Sequence, residues 1–230
     1  GYRLAGFARA WYPLLMSNGD CDSLPGGGTS LADYFGDIDI YLFDQLLRGR
    51  ITPGMRVLDA GCGRGRNLVY MLRAGFDVYG IDPDRDAIDA VRRLAKRLAP
   101  AIPPDHFQVE RLPTLSFPDR AFDAVIANAV LHFAADEAEF FAMLAEAWRV
   151  LEPDGILFAR LASSIGLEDR ISPLGDRRYR LPDGSDRFLV DEALLLSAAA
   201  DLEATLLDPI KTVNVQGQRC MTTWCIRKSS

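Results

Sequence analysis

The spacing of hydrophobic and polar positions changes period several times along the chain. Ile40, Phe43 and Leu47 recur at i, i+3 and i+7, and Leu42 and Leu46 widen the stripe, which predicts an amphipathic helix over residues 37–48. Thr52-Pro53-Gly54 ends that helix and turns the chain. Arg56-Val57-Leu58-Asp59-Ala60 then reads as a short buried strand, followed by a glycine-rich turn and a helix over 66–74. A second strand is expected at 78–81. Ile88, Val91, Leu94 and Leu98 mark the apolar face of the next helix, which Pro100 stops. Residues 107–109 and 122–128 read as third and fourth strands. Phe141, Leu144, Trp148 and Leu151 stripe a helix that Pro153-Asp154-Gly155 ends, and 156–161 reads as a fifth strand. Strands alternating with helices predict βαβ units and a parallel sheet covered on both faces.

The last third departs from this rhythm. Residues 177–190 read as a hairpin around Pro182-Asp183-Gly184, and a helix is expected at 191–200. Residues 202–215 and 219–228 read as two strands joined by Gln216-Gly217-Gln218. The expected fold is α/β: a Rossmann-like doubly wound sheet of seven strands, mostly parallel with an antiparallel C-terminal strand, helices on both faces. One domain is expected, with an N-terminal arm and helix (1–50), a core (51–164), a hairpin insertion (165–190) and a C-terminal helix and strand hairpin (191–230). Pro25-Gly26-Gly27-Gly28 reads as a joint behind an aromatic arm that holds Trp11 and Tyr12.

Composition narrows the class. Of 230 residues, 49% are hydrophobic and 25% charged, the balance of a globular protein with a full core. A net charge of −6 argues against a general nucleic-acid backbone binder, which needs clustered positive surface. No apolar run approaches the roughly 18 residues of a membrane span. The four cysteines, at 21, 62, 220 and 225, show no C-x-x-C spacing, and the histidines are His106 and His132 only. Neither a metal cluster nor a disulfide framework is expected, and a cytoplasmic location with reduced thiols is.

The chemistry concentrates in Leu58-Asp59-Ala60-Gly61-Cys62-Gly63-Arg64-Gly65-Arg66-Asn67. Glycines after a first buried strand let a ligand approach the backbone closely. The spacing is G-x-G-x-G, and Arg66 stands where the dinucleotide fingerprint places its third small residue. Asp59 at the strand end repels a diphosphate and suits an ammonium. Asp82 closes the second strand, where an acid hydrogen-bonds ribose hydroxyls. These features favour a ligand with a ribose, an ammonium and a positive centre.

The segments 58–63 and Gly80-Ile81-Asp82 look like motifs I and II of class I S-adenosylmethionine-dependent methyltransferases. Phe117-Pro118-Asp119-Arg120-Ala121-Phe122-Asp123 resembles the stretch leading into that family's fourth strand, and Asn128-Ala129-Val130-Leu131-His132 its exit. Gly65-Arg66-Asn67 with Tyr70, and Gly75-Phe76-Asp77-Val78, are similar to the tellurite-resistance and thiopurine methyltransferase-like branch. The resemblance implies S-adenosyl-L-methionine as cofactor and S-adenosyl-L-homocysteine as product. It implies that Asp59 and the loop of Gly61, Cys62, Gly63 and Asn67 face the methionine part, Asp82 the ribose, and Pro83 the adenine. Either Glu110 or the backbone of Arg111 and Leu112 meets the adenine amine. Asn128 either touches the methionine part or caps the next segment. His132 is the candidate general base, or else packs beside Phe133. Trp11, Tyr12, Tyr179 and Arg180 are expected at the acceptor. A small-molecule methyl acceptor is the leading expectation, with no nucleic acid or membrane partner and a monomer or homodimer. The alternatives are a protein or RNA methyltransferase, or a silent S-adenosylmethionine-binding module.

Overall fold

The computed structural model describes residues 30–230. Trp11, Tyr12 and the joint at 25–28 lie outside the described residues. Two short helices open the described chain, α1 (Leu31–Phe35) and α2 (Ile40–Leu47). Then follow β1 (Arg56–Ala60), α3 (Val69–Arg73), β2 (Asp77–Asp82), α4 (Arg85–Leu98), β3 (Phe107–Val109), β4 (Phe122–Asn128), α5 (Glu137–Arg149) and β5 (Leu151–Ser163). The remainder holds β6 (Ser172–Gly175), β7 (Arg178–Arg180), β8 (Asp186–Phe188), α6 (Glu192–Asp201), β9 (Thr205–Leu206), β10 (Lys211–Val215) and β11 (Arg219–Arg227).

The main sheet runs β10-β11-β5-β4-β1-β2-β3, with β9 paired to β11 outside that path. From β3 to β5 every pairing is parallel, and β11 runs antiparallel to β5. This is the doubly wound arrangement expected from the alternating pattern. Both faces of the sheet are covered: Leu58, Val125, Leu157 and Trp224 belong to one apolar cluster, and Val57, Ala124, Phe158 and Cys225 to the other. Aspartates set where helices begin. Asp39, Asp84, Asp136 and Asp191 each accept a backbone N–H from the first turn of α2, α4, α5 and α6.

Three expectations are corrected. The Pro153-Asp154-Gly155 segment does not terminate a helix. The helix ends at Arg149, and the three residues form an irregularity inside β5, where Asp154 has φ 62° and the register jumps from Phe122–Leu151 to Ala124–Ile156. The buried face of α5 is accordingly Phe140, Met143, Leu144 and Ala147, with Phe141 and Trp148 on its flanks and Leu151 in the strand. The helix expected from residue 66 starts at Val69, because the turn continues through Gly65 and Leu68, whose N–H groups donate to Cys62 O and Gly65 O. The insertion is a three-stranded antiparallel sheet, β6-β7-β8, rather than a hairpin. It is anchored to the end of β5 by Ser164 N–H donating to Val190 O at 2.9 Å and to α5 by Phe188 stacked on Phe140. That anchor places it over the C-terminal edge of the parallel strands.

Gly80 in β2 shows how tightly this edge is packed. A Cβ there would lie 2.9 Å from Cys62 Sγ and 3.0 Å from Phe107 Cδ1. We expect Gly80→Ala to lower stability by about 1–3 kcal/mol in urea unfolding. Adding Cys62→Ala should recover part of that loss, whereas strict additivity of the two effects would show that the contact is unimportant.

Candidate functional site

The strand order reverses at β1, which has β2 on one side and β4 on the other. Loops leaving β1 and β4 therefore diverge and open a crevice at the carboxyl ends of the strands, where ligands bind in such sheets. The loop after β1 is laced to the end of β2. Gly61 and Cys62 N–H both donate to Ile81 O, at 2.8 and 2.9 Å, and Gly63 N–H donates to Asp82 Oδ2 at 3.0 Å. Gly61 has φ 84°, and the space its Cβ would need is filled by Val130 from the loop after β4. Glycine is thus required there twice, by dihedral and by contact.

A cavity of about 280 Å³ opens beside this loop, and among its lining residues are Gly61, Asp82, Pro83, Leu112, Val130 and Phe133. Glu110 and Arg111 also border it. Six residues expected around a cofactor (Gly61, Asp82, Pro83, Glu110, Arg111 and Leu112) are thus brought to one place. Asp82 Oδ1 accepts from Asp84 N–H at 2.9 Å, so both carboxylate oxygens are already oriented. Glu110 is turned to Ser116, accepting from its N–H at 3.1 Å and its Oγ–H at 2.5 Å. Arg111 is ion-paired with Glu139 at 3.0 Å.

Two buried polar groups stand out by what they lack: Asp59 in β1, which lines neither cavity, and Asn128, which lines the second of the two described here. Asp59 is fully buried, and neither carboxylate oxygen has a hydrogen-bond partner among the described residues. Burial pushes its carboxyl up to about 7, against the pull of Arg66 and with help from Asp82. Asn128, at the end of β4, is 6% exposed, and its amide N and O are both unpartnered among the described residues. Orphaned buried polar groups are rare and mark ligand sites when they cluster. A methionine-type ligand end, with one ammonium and one carboxylate, offers a partner to each, so these residues fit S-adenosylmethionine. Cys62 and Asn67 serve the loop itself. Cys62 is buried against Gly80 and Phe107, with its thiol pushed far up by burial. Asn67 Oδ1 accepts Asp39 N–H at 3.1 Å and ties the loop to α2.

A second cavity, of about 430 Å³, lies on the other side of Ala129, which lines both. Ala129 has φ 62°, a left-handed turn that sends the chain from β4 between the two cavities. Asn128, His132, Arg66, Arg160, Arg187 and Arg219 face the second one. His132 Nδ1 accepts Ala162 N–H at 3.0 Å, which leaves the ring proton of the neutral form on Nε2. Burial, with Arg187 and Arg219 nearby, lowers the imidazolium to about 4. Tyr179 and Arg180 line neither cavity. Tyr179 packs on the small apolar cluster of Ala162, Leu181 and Cys220, and Arg180 is ion-paired with Asp186. Arg66, Arg160, Arg187 and Arg219 come from four separate segments, and no sequence spacing signals their convergence. Among the described residues no group of His, Cys, Asp and Glu could hold a metal ion, and no helix is long and apolar enough to cross a membrane.

Comparison with known proteins agrees with this geometry. Residues 58–159 match the family described as Methyltransferase domain. A ubiquinone biosynthesis O-methyltransferase from Methylocella silvestris is 34% identical over 120 residues, 50% of this chain and 44% of that protein. A ribosomal protein L11 methyltransferase from Cupriavidus taiwanensis is 35% identical over 85 residues, 36% of this chain and 26% of that protein. The chain spans about half the length, or less, of these curated relatives. The crystal structure of the Burkholderia thailandensis 1,6-didemethyltoxoflavin-N1-methyltransferase, with 1,6-didemethyltoxoflavin and S-adenosylhomocysteine bound, shares the fold. Its TM-score is 0.62 at 22% identity, covering 82% of this chain and 76% of that one. With its G-x-G-x-G loop, its acid at the end of β2 and its strand order, the matched segment, residues 58–159, is a methyltransferase domain similar to those of the class I S-adenosylmethionine-dependent superfamily. S-adenosylmethionine is that superfamily's cofactor.

The unpaired Asp59 has a measurable consequence in the ligand-free chain. Its folded value near 7 lies above its ordinary 3.8, so the folded state holds a proton that the unfolded chain releases. Stability from this group therefore falls as pH rises from about 4 to about 7. Asp59→Asn should stabilise the ligand-free protein, by on the order of 2 kcal/mol more at pH 8 than at pH 5. Thermal unfolding at the two pH values checks it, and an equal effect at both would contradict it.

Proposed function

We propose that this chain is an S-adenosylmethionine-dependent methyltransferase that methylates a small-molecule acceptor by in-line transfer. The observation that supports this best is the pair of cavities meeting at Ala129, one bordered by Asp82 and Pro83 and the other by His132 and four arginines. Such an arrangement holds a donor and an acceptor on opposite sides of one crossing point. When bound, S-adenosylmethionine supplies a methyl group on a sulfonium, which leaves as the neutral thioether of S-adenosylhomocysteine.

The chain's own contribution is alignment and exclusion of water. Asp82 accepts from the ribose hydroxyls with an oxygen already oriented by Gly63. Pro83, Leu112 and Phe133 flank the base, with Glu110 or the backbone at 111–112 meeting its amine. Asp59 takes the ammonium as partner, and the methionine end reaches past Ala129, the residue common to both cavities, to Asn128 at the near wall of the second. The methyl carbon–sulfur bond breaks as the bond from the acceptor atom to that carbon forms. An acceptor that arrives ionised needs no proton removed.

The second cavity's volume of about 430 Å³ suits a small molecule, since such sites run from roughly 300 to 1,000 Å³. The ubiquinone and toxoflavin enzymes, both similar to this chain, point the same way. A protein acceptor is the second reading, favoured by the ribosomal protein L11 enzyme, although that likeness covers only 36% of this chain.

Calorimetry should show S-adenosylhomocysteine binding to the purified chain. Asp82→Asn should weaken it by about 10–100-fold, the value of charge-assisted hydrogen bonds. No heat of binding at millimolar ligand would overturn the proposal. Incubation of extract with methyl-labelled cofactor then separates the acceptor readings: label in the acid-soluble fraction supports a small acceptor, and label in precipitable protein supports the second reading.

A further inference from the structure

We propose that the second cavity recognises its acceptor through an oxyanion, a carboxylate on a small molecule, gripped by Arg66, Arg187 and Arg219 with His132 as a fixed hydrogen-bond donor. This rests on the methyltransferase reading for the donor side of the site.

The charges lining the cavity are unbalanced. Arg66, Arg160, Arg187 and Arg219 face it, against Asp183 as the one acidic side chain in the lining. Arg160 is ion-paired with Asp39 at 3.1 Å, yet its Nε is buried with no partner among the described residues. Arg66, Arg187 and Arg219 have no carboxylate at ion-pair distance among the described residues. Two other arginines of the insertion are matched by carboxylates, and Arg178 donates to Ala134 O at 3.2 Å. Arg177 pairs with Glu137 and Asp191, at 2.8 and 2.9 Å, and Arg180 with Asp186. The contrast separates arginines that hold the insertion together from arginines left facing a cavity. Arg187 is also held in place, its guanidinium 4.8 Å over the Phe133 ring and its Nη1 donating to Asp186 O at 2.7 Å. A planar guanidinium fixed over an aromatic face presents its remaining N–H fork to a carboxylate.

His132 completes the set. Its Nδ1 lone pair is engaged by Ala162 N–H, so the neutral ring offers Nε2–H and has no second basic nitrogen free. A ring in that state donates to an oxyanion and cannot take a proton without breaking its bond to β5. Burial and the nearby arginines keep it in that state at neutral pH. A role as general base, the first reading of His132 from its place after β4, is therefore replaced by one in binding. An acceptor that is already an anion suits both the arginines and the missing base.

The test uses the full chain saturated with S-adenosylhomocysteine and a panel of small carboxylic acids, each with its matched primary amide. Binding is read by calorimetry. Acids should bind at least about tenfold more tightly than their amides. Arg187→Gln and Arg219→Gln should each weaken the acids by about tenfold and leave S-adenosylhomocysteine affinity unchanged. Arg180→Gln, outside the cavity, should change neither. Nitrogen NMR of His132 should show Nε2 protonated and Nδ1 bare from pH 6 to 8. Amides equal to acids, no acid bound, acids indifferent to both arginine variants, or a protonated Nδ1 would each overturn the proposal. If S-adenosylhomocysteine itself fails to bind, the methyltransferase reading falls, and the panel run on the chain alone still reads the cavity directly.

Discussion

Three successive N–H groups, those of Gly61, Cys62 and Gly63, are bound to the end of β2, and the crevice depends on that lacing. It bends the chain away from β1 before α3 begins and aims the loop's remaining face at the cavity. It also spends one oxygen of Asp82 on architecture, so an acid that borders the cavity is the one that shapes the loop. Gly80, opposite Asp59 in the register, must be bare for Cys62 to tuck beneath the loop. Loop, strand end and pocket wall therefore form one packed unit, and the fold could not be kept while the loop was remodelled.

Much of this was legible in the sequence, and the reasons are local. β1 and β4 were read to the residue, because each is a mostly buried run, after Arg56 in β1 and save for Asp123 in β4, closed by Gly61 or Asn128. The Gly61–Gly65 loop and Asp82 announced a nucleoside-bearing ligand, because backbone permissiveness and a ribose acid sit at fixed distances along the chain. The face of α5 was mis-set for an equally physical reason. Pro153-Asp154-Gly155 carries the signature of a stop, yet the flanking Leu151 and Ile156 pair with β4, and Asp154 N–H and Gly155 O bond to Lys228 just after β11, contacts that are non-local.

The second cavity was the least legible part. Arg180, expected at the acceptor, stands in sequence beside Arg177 and Arg178. Adjacency made them easy to neutralise, since Asp186, Asp191, Glu137 and the Ala134 carbonyl all lie within reach. The arginines that face the cavity are scattered over the loop after β1, β5, β8 and β11. The position of His132 was readable from the end of β4. Its proton was not, because that is decided by an N–H thirty residues further on.

Asp39 joins parts of the molecule that look separate. Its backbone N–H donates to Asn67 in the loop after β1, its Oδ1 caps α2, and its Oδ2 pairs with Arg160 at the second cavity. A ligand that draws Arg160 toward itself draws on the same carboxylate that starts a helix. The start of α2, the loop after β1 and the wall of the second cavity thus share the contacts of one residue. Helix start, loop and strand are tied there through a single buried acid.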